Sequence, residues 1–117
     1  MSQKIALITG VGPGTGSSLA RCFHNAGYKV AMIARNKDRL KNLEDELENS
    51  KGFICDVRNL ETIDNTVNEI INQFGYPEIF IHNAVRGIRG SFLDFTTKDL
   101  QSNFDTNVTA LLRFSQL

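Results

Sequence analysis

The chain has 117 residues, with 13 basic and 13 acidic side chains and no formal net charge, and this length fits a single domain, residues 1–117. It lacks the basic excess typical of proteins that bind nucleic acid or anionic membranes, and no stretch approaches the roughly 18 apolar residues of a membrane span. Two isolated cysteines, Cys22 and Cys55, and a first apolar run too short for a signal peptide favour a cytoplasmic protein with neither nucleic acid nor a membrane as partner.

Short apolar runs alternate with amphipathic segments along the chain. The apolar runs predict strands at Ile5–Thr9, Lys29–Ala34, Gly52–Cys55 and Ile79–His82. The amphipathic segments predict helices at Gly14–Asn25, after the capping residues Asn36 and Asn59, and from near Thr97. The longest connection, Asn83–Thr96, is rich in glycine and aromatic residues and is interpreted as a binding loop.

The strict alternation of strands and helices indicates the fold class. Helical connections between successive strands require a parallel sheet with helices on both faces. Right-handed crossovers favour the strand order 3-2-1-4. We therefore expect an α/β protein with a Rossmann-type, doubly wound parallel sheet.

A glycine-rich segment, Thr9–Gly16, joins the first strand to the first helix. Backbone N–H groups at a helix start attract phosphate oxygens, and glycines let the main chain approach the ligand closely. The segment predicts a pyrophosphate site formed by Gly10, Gly12, Gly14, Thr15 and Gly16. The alternative is a tight turn without a ligand. A P-loop is excluded, because Ser17 rather than lysine follows Gly16.

Four motifs in chain order carry a family resemblance. Thr9–Gly16 has the spacing Thr-Gly-x-x-x-Gly-x-Gly, Cys55–Val57 places an aspartate after the third strand, His82–Val85 closes the fourth strand, and Asp105–Val108 lies in the last helix. The chain resembles the short-chain dehydrogenase/reductase family over its whole length. In that family the third motif is Asn-Asn-Ala-Gly, so His82 and Val85 depart from the pattern.

The resemblance implies roles for several residues. Asp56 and Val57 would lie near the adenine ring of a dinucleotide, and Asn83 and Ala84 would line the cofactor site. Asn107 matches the asparagine of the family's catalytic set. The last helix, with an apolar stripe at Leu100, Phe104, Val108, Leu111 and Leu112, corresponds to one that packs on the sheet and forms part of a subunit interface, which predicts a homo-oligomer.

The end of the second strand bears on the choice of cofactor. An acidic side chain that binds the ribose 2′-hydroxyl of NAD is expected about 20 residues after the glycine turn, and Arg35 and Asn36 stand there instead. A guanidinium suits a 2′-phosphate, so we expect NADP rather than NAD. A solvated arginine at a strand end is the alternative. Pro13 counts against NADP, because NADP-preferring relatives often have a second basic residue there.

The rest of the family's catalytic set is not matched. Only ten residues follow Asn107, and the tyrosines, Tyr28 and Tyr76, have no lysine four residues later. A phenol with a pKa near 10 needs a nearby cation to act as a base at neutral pH. We therefore expect the NADP(H)-binding part of an oxidoreductase acting on an unknown carbonyl or alcohol, truncated or naturally short, without turnover by itself.

Two other functions remain open from the sequence. A non-catalytic dinucleotide-binding sensor or interaction module would need no proton donor, and sequence beyond Leu117 would discriminate it from an enzyme. A flavodoxin-like or receiver protein fits the alternation but not the glycine turn. We expect no metal site, because no Cys/His/Asp cluster has ligand spacing. Arg86 and Arg89 could meet an anion, although a role in solubility is the simpler reading.

Overall fold

A computed structural model of the protein describes residues 3–85 and 90–117. Arg86 and Arg89, considered above as anion contacts, lie outside the described residues. The strands are β1 (Ile5–Thr9), β2 (Lys29–Ala34), β3 (Ser50–Ile54) and β4 (Ile79–His82). They form one parallel sheet in the order β3-β2-β1-β4, which confirms the predicted order.

Five α-helices connect and follow the strands in the described residues. They are α1 (Thr15–Asn25), α2 (Lys37–Glu46), α3 (Leu60–Gln73), α4 (Thr97–Phe104) and α5 (Ala110–Gln116). A 3₁₀ turn, Phe92–Asp94, precedes α4, and a π-helical segment, Asp105–Thr109, joins α4 to α5. None of the helices in the described ranges is long and apolar enough to cross a membrane.

The sheet separates two apolar clusters. On one face, Ile8 and Met32 pack with residues of α1 and α2 such as Ala20 and Leu40. On the other, side chains of β1, β2 and β3 pack with α3 and α5; this cluster includes Leu7, Ala31, Ile33, Phe53, Ile63, Val67, Ile70, Ala110 and Phe114. Because successive side chains of a strand point to opposite faces, the nearly continuous apolar character of β1 and β2 reflects burial on both sides.

The strand register brings three strand ends to one edge of the sheet. Thr9, the last residue of β1, lies beside Ile33 of β2 and His82 of β4. The chain leaving each of these strands therefore emerges at the carboxyl edge, where ligands of open α/β sheets bind.

The third strand begins earlier than the apolar pattern predicts. Pairing with β2 starts at Ser50, opposite Val30, and the strand ends at Ile54. Ser50 and Lys51 are polar and give no apolar signal in the sequence, whereas backbone pairing with β2 does not depend on apolar side chains. The prediction, Gly52–Cys55, therefore begins two residues late and ends one residue late relative to β3.

The segment predicted as one last helix is divided by the π-helical segment. The side chains that face the core are Thr106, Ala110 and Phe114, whereas the apolar stripe noted in the sequence is exposed. The exposed fractions of that stripe run from 44% at Leu111 to 68% at Leu100. The stripe is therefore an outer surface of this structure, and Ala110 and Phe114, on the other side, pack in the core cluster.

Candidate functional site

A cleft of about 800 Å³ opens at the carboxyl edge of the sheet. Its walls come from the glycine turn, the segments after β2, β3 and β4, and the π-helical segment. The lining residues are Gly10, Val11, Gly12, Ile33, Ala34, Arg35, Asn36, Arg39, Cys55, Asp56, Val57, Arg58, Asn83, Ala84, Val85 and Thr106. Motifs that are far apart in the chain thus surround one cavity.

The glycine turn is held tightly at one end and is open at the other. Gly10 has a φ of +68°, and a Cβ there would lie 2.6 Å from the amide nitrogen of Ala84. A Cβ on Gly16 would lie 2.3 Å from the carbonyl oxygen of Gly10. A Cβ on Gly14 would meet nothing within 4 Å. Gly10 and Gly16 are therefore required by packing, whereas the absence of a side chain at Gly14 leaves open space.

The start of α1 presents unpaired donors to that space. Its N-cap is Gly14, which supplies no capping side chain, and its first turn has no acidic residue. By contrast, Asn36 and Asn59 cap α2 and α3 with their side chains. In the described residues, the backbone amides of residues 14–16 donate to no protein acceptor. Unpaired donors and the positive end of the helix dipole make this turn suited to an anion.

Cationic side chains lie where the cleft meets β2 and α2. Arg35 follows β2 directly and is exposed, as is Arg39 in the first turn of α2. Asn36 accepts a hydrogen bond of 3.1 Å from the backbone N–H of Arg39 through its side-chain oxygen. That oxygen is used to cap the helix, which leaves the Asn36 amide N–H groups as the donors available to a ligand.

Asp56 forms an ion pair with Arg58, and both residues line the cleft. The guanidinium of Arg58 donates to both carboxylate oxygens, at 3.0 and 2.7 Å, and its backbone N–H donates to Oδ1. Hydrogen bonding from Arg58 lowers the pKa of Asp56 to about 2, with a smaller electrostatic contribution from Arg35. Asp56 is therefore a carboxylate at neutral pH, and its remaining lone pairs can still accept from a ligand amine.

The segment after β4 is bonded directly to the glycine turn. Asn83 donates from Nδ2 to the carbonyl oxygen of Gly10 at 3.1 Å. The backbone N–H of Ala84 donates to the hydroxyl of Thr9 at 3.1 Å. These bonds hold the two walls of the cleft at a fixed separation.

His82 extends that connection to the π-helical segment. Its Nε2 lies 2.7 Å from the carbonyl oxygen of Thr106, and its Nδ1 lies 2.9 Å from Oγ1 of Thr9. A carbonyl oxygen can only accept, so Nε2 carries the proton and Nδ1 accepts from the Thr9 hydroxyl. Three hydrogen bonds thus run in series from Ala84 through Thr9 and His82 to Thr106.

Asn107 lies in the π-helical segment, next to Thr106. Thr106 lines the cleft, whereas Asn107 is half-buried and is not among the lining residues. π-helical turns are frequent at functional sites, and the position of this segment beside the cleft is in keeping with that tendency. In the described ranges, no group of three His, Cys, Asp or Glu side chains is placed to hold a metal ion.

Comparison with known proteins identifies the family. The family model described as short chain dehydrogenase matches residues 4–117. The chain belongs to this family.

Curated oxidoreductases resemble the chain over about half of their own length. An uncharacterized oxidoreductase of Staphylococcus aureus is 31% identical over 118 residues, which cover 99% of this chain and 51% of that protein. A second, from Staphylococcus epidermidis, is 24% identical over 117 residues, with the same coverage of 99% and 51%. The chain thus spans about half the length of the curated relatives it matches.

Solved structures of short-chain dehydrogenases superpose closely on the chain. A short-chain type dehydrogenase/reductase from Mycobacterium marinum is 30% identical, with a TM-score of 0.89, and the match covers 98% of this chain and 48% of that one. A variant of actinorhodin polyketide ketoreductase, crystallised with NADPH, is 26% identical, with a TM-score of 0.91, and the match covers 99% of this chain and 47% of that one.

Most of the predicted site residues of this chain surround the cleft. Those that line it are Gly10, Gly12, Arg35, Asn36, Asp56, Val57, Asn83 and Ala84. Gly14, Thr15 and Gly16 lie at the start of α1 and are not among the lining residues, and Asn107 is also outside them. Their cofactor and catalytic roles stay predictions.

Sequence reasoning missed Arg39, Arg58 and the bridging role of His82. The departure of His82 from the family motif was visible in the sequence, but its two hydrogen-bond partners were not. Arg39 had a weaker signal, a cation in the first turn of the helix that follows the second strand.

Proposed function

We propose that this chain binds NADP(H) in the cleft and serves as the nucleotide-binding part of a short-chain oxidoreductase. The observation that carries the proposal is a cleft lined by Gly10, Gly12 and a cation, Arg35, where the glycine turn leads into an uncapped, acid-free helix start. Unpaired amides suit a pyrophosphate, and an arginine in place of an acid suits a 2′-phosphate. The similarity to a ketoreductase crystallised with NADPH supports the same cofactor.

The residues present fit such a cofactor. The space beside Gly14 is open, the amides of residues 14–16 have no protein acceptor among the described residues, and the cleft has a volume of about 800 Å³. These three features are what a pyrophosphate at a glycine turn requires.

Each part of the dinucleotide has a proposed partner. The amides of Gly14, Thr15 and Gly16 bind the pyrophosphate, Arg35 and the Asn36 amide bind the 2′-phosphate, and Asp56 and Val57 contact the adenine. Asn83 and Ala84 line the side of the nicotinamide and its ribose. When bound, the nicotinamide supplies the hydride that such oxidoreductases transfer.

The cofactor preference can be tested by replacing Arg35. Loss of a charge-assisted contact to phosphate costs on the order of 1.5–3 kcal/mol, which is about tenfold or more in affinity. We expect Arg35→Ala to weaken NADPH binding by that factor and to leave NADH binding nearly unchanged, measured by titration calorimetry. Equal losses for both cofactors would contradict a role at the 2′-phosphate, and no binding of NADPH to folded wild-type protein would contradict the proposed function.

We also expect no hydride transfer by the 117-residue protein alone. Asn107 is the one residue of the family's catalytic set that the sequence matches, and an amide cannot supply a proton at neutral pH. NADPH absorbance in the presence of a panel of ketones and aldehydes should therefore fall no faster than in a blank without protein. Turnover that survives repeated purification would show that another group acts as the acid.

A further inference from the structure

We propose that Arg39 is a second binding residue for the 2′-phosphate and helps to determine cofactor specificity. This inference rests on the proposed binding of NADP(H). The glycine turn supplies no cation at position 13, which is proline. Arg39, in the first turn of α2, would supply a second cation beside Arg35.

The position of the Arg39 side chain supports this role. Its Nη1 lies 3.6 Å from the point where a Cβ on Gly12 would be, and the residue lines the cleft together with Arg35 and Asn36. The Arg39 side chain thus extends from α2 to Gly12 of the glycine turn. The guanidinium lies beside the turn although Arg39 belongs to the neighbouring βα unit.

Arg35 and Arg39 form no ion pair within the described residues, and the one carboxylate that lines their cleft there, Asp56, is already paired with Arg58. Arg21, Arg58 and Arg113 each form an ion pair with a carboxylate at 2.6 or 2.7 Å. Neither Arg35 nor Arg39 has a carboxylate within ion-pair distance in the ranges 3–85 and 90–117. Two unpaired guanidinium groups at one cleft repel each other, and an anion between them relieves that repulsion.

The position is also unfavourable for a cation in the absence of a ligand. A positive side chain in the first turn of a helix lies at the positive end of the helix dipole. The backbone N–H of Arg39 is capped by Asn36, and the Arg39 guanidinium, which can only donate, cannot cap the other N–H groups of this turn. A phosphate dianion offers oxygens to two planar guanidinium groups at once, and a cofactor without the 2′-phosphate offers none there.

The test compares ligands that differ in the 2′-phosphate alone. Adenosine 2′,5′-bisphosphate and adenosine 5′-monophosphate, together with NADPH and NADH, are titrated into wild-type protein and into Arg39→Ala. Lys41→Ala is the matched control, because Lys41 is also an exposed cation of α2 but does not line the cleft. Arg39→Lys keeps the charge but loses the planar group.

We expect Arg39→Ala to weaken both 2′-phosphorylated ligands about tenfold, with little change for the other two, and Arg39→Lys to lose less. Lys41→Ala should bind all four ligands like wild-type protein. If Arg39→Ala leaves the bisphosphate affinity unchanged, or weakens all four ligands equally, this inference is overturned while the proposed function stands. If wild-type protein binds the bisphosphate no better than the monophosphate, the NADP(H) proposal fails, and this inference with it.

Discussion

Gly14 and Gly16 lie two residues apart in the glycine turn, but an added side chain would have opposite effects at the two positions. At Gly14 a Cβ meets open space, and at Gly16 it would lie 2.3 Å from the carbonyl oxygen of Gly10. We expect Gly14→Val to fold nearly as stably as wild-type protein and to lose NADPH binding, because the side chain would occupy the space proposed for the pyrophosphate.

Gly16→Ala is the informative counterpart. Overpacking against rigid backbone costs about 1–3 kcal/mol, so this variant should show a clearly lower midpoint in a thermal melt followed by circular dichroism. Titration calorimetry of both variants separates binding from folding. NADPH affinity in Gly14→Val equal to that of wild-type protein would mean that the pyrophosphate does not lie on this side of the turn.

At the same scale, the sequence predicted which residues meet at the cleft better than how their side chains are used. Asp56 lines the cleft, as the shared edge of the carboxyl ends of parallel strands leads one to expect, and its contact with the adenine stays a prediction. The ion pair between Asp56 and Arg58 depends on the rotamers of the two side chains, and no sequence motif specifies these rotamers. The reach of Arg39 to the glycine turn depends likewise on the path of one long side chain.

The link from β1 through β4 to the π-helical segment passes through a single imidazole. His82→Ala would leave the buried hydroxyl of Thr9 without its acceptor and the Thr106 carbonyl without its donor. Leaving a buried polar group unsatisfied costs about 1–3 kcal/mol. We expect His82→Ala to lower the free energy of unfolding in urea by at least that amount.

His24→Ala is a suitable control for the loss of an imidazole. The Nδ1 atom of His24 is buried and has no hydrogen-bond partner among residues 3–85 and 90–117, so this substitution breaks no comparable link there. Equal destabilisation by the two substitutions would show that packing of the ring, against Phe80 and Phe114 in the case of His82, outweighs its hydrogen bonds.

The elements themselves were largely predictable, and the exceptions have physical reasons. The strands and helices around the core follow from apolar periodicity and from the caps Asn36 and Asn59. The π-helical segment at Asp105–Thr109 could not be read, since one extra residue in a helical turn changes the apolar pattern little. The buried side of this region is formed by Thr106, Ala110 and Phe114.

At the scale of the whole molecule, the exposed apolar surface of the last helical region is the feature that most needs an explanation. Phe104, Val108 and Leu112 are between 47% and 59% exposed, and Phe92 in the preceding 3₁₀ turn is 81% exposed. In the described residues, β4 is paired on one side only, with β1. Contiguous exposed apolar side chains and an open strand edge favour association.

We therefore expect the 117-residue protein to form a homo-oligomer or to aggregate, as light scattering coupled to gel filtration would measure. Leu100→Glu combined with Leu112→Glu should shift the protein toward the monomer, because both side chains are exposed and their replacement leaves the core intact. Tyr76→Glu is the control, since Tyr76 is 69% exposed but lies outside this surface. A monodisperse monomer at high concentration, with a cooperative melt, would contradict the prediction. If the double variant still associated, the open edge of β4 would be the contact instead, because backbone pairing at that edge does not depend on the charge of the helices.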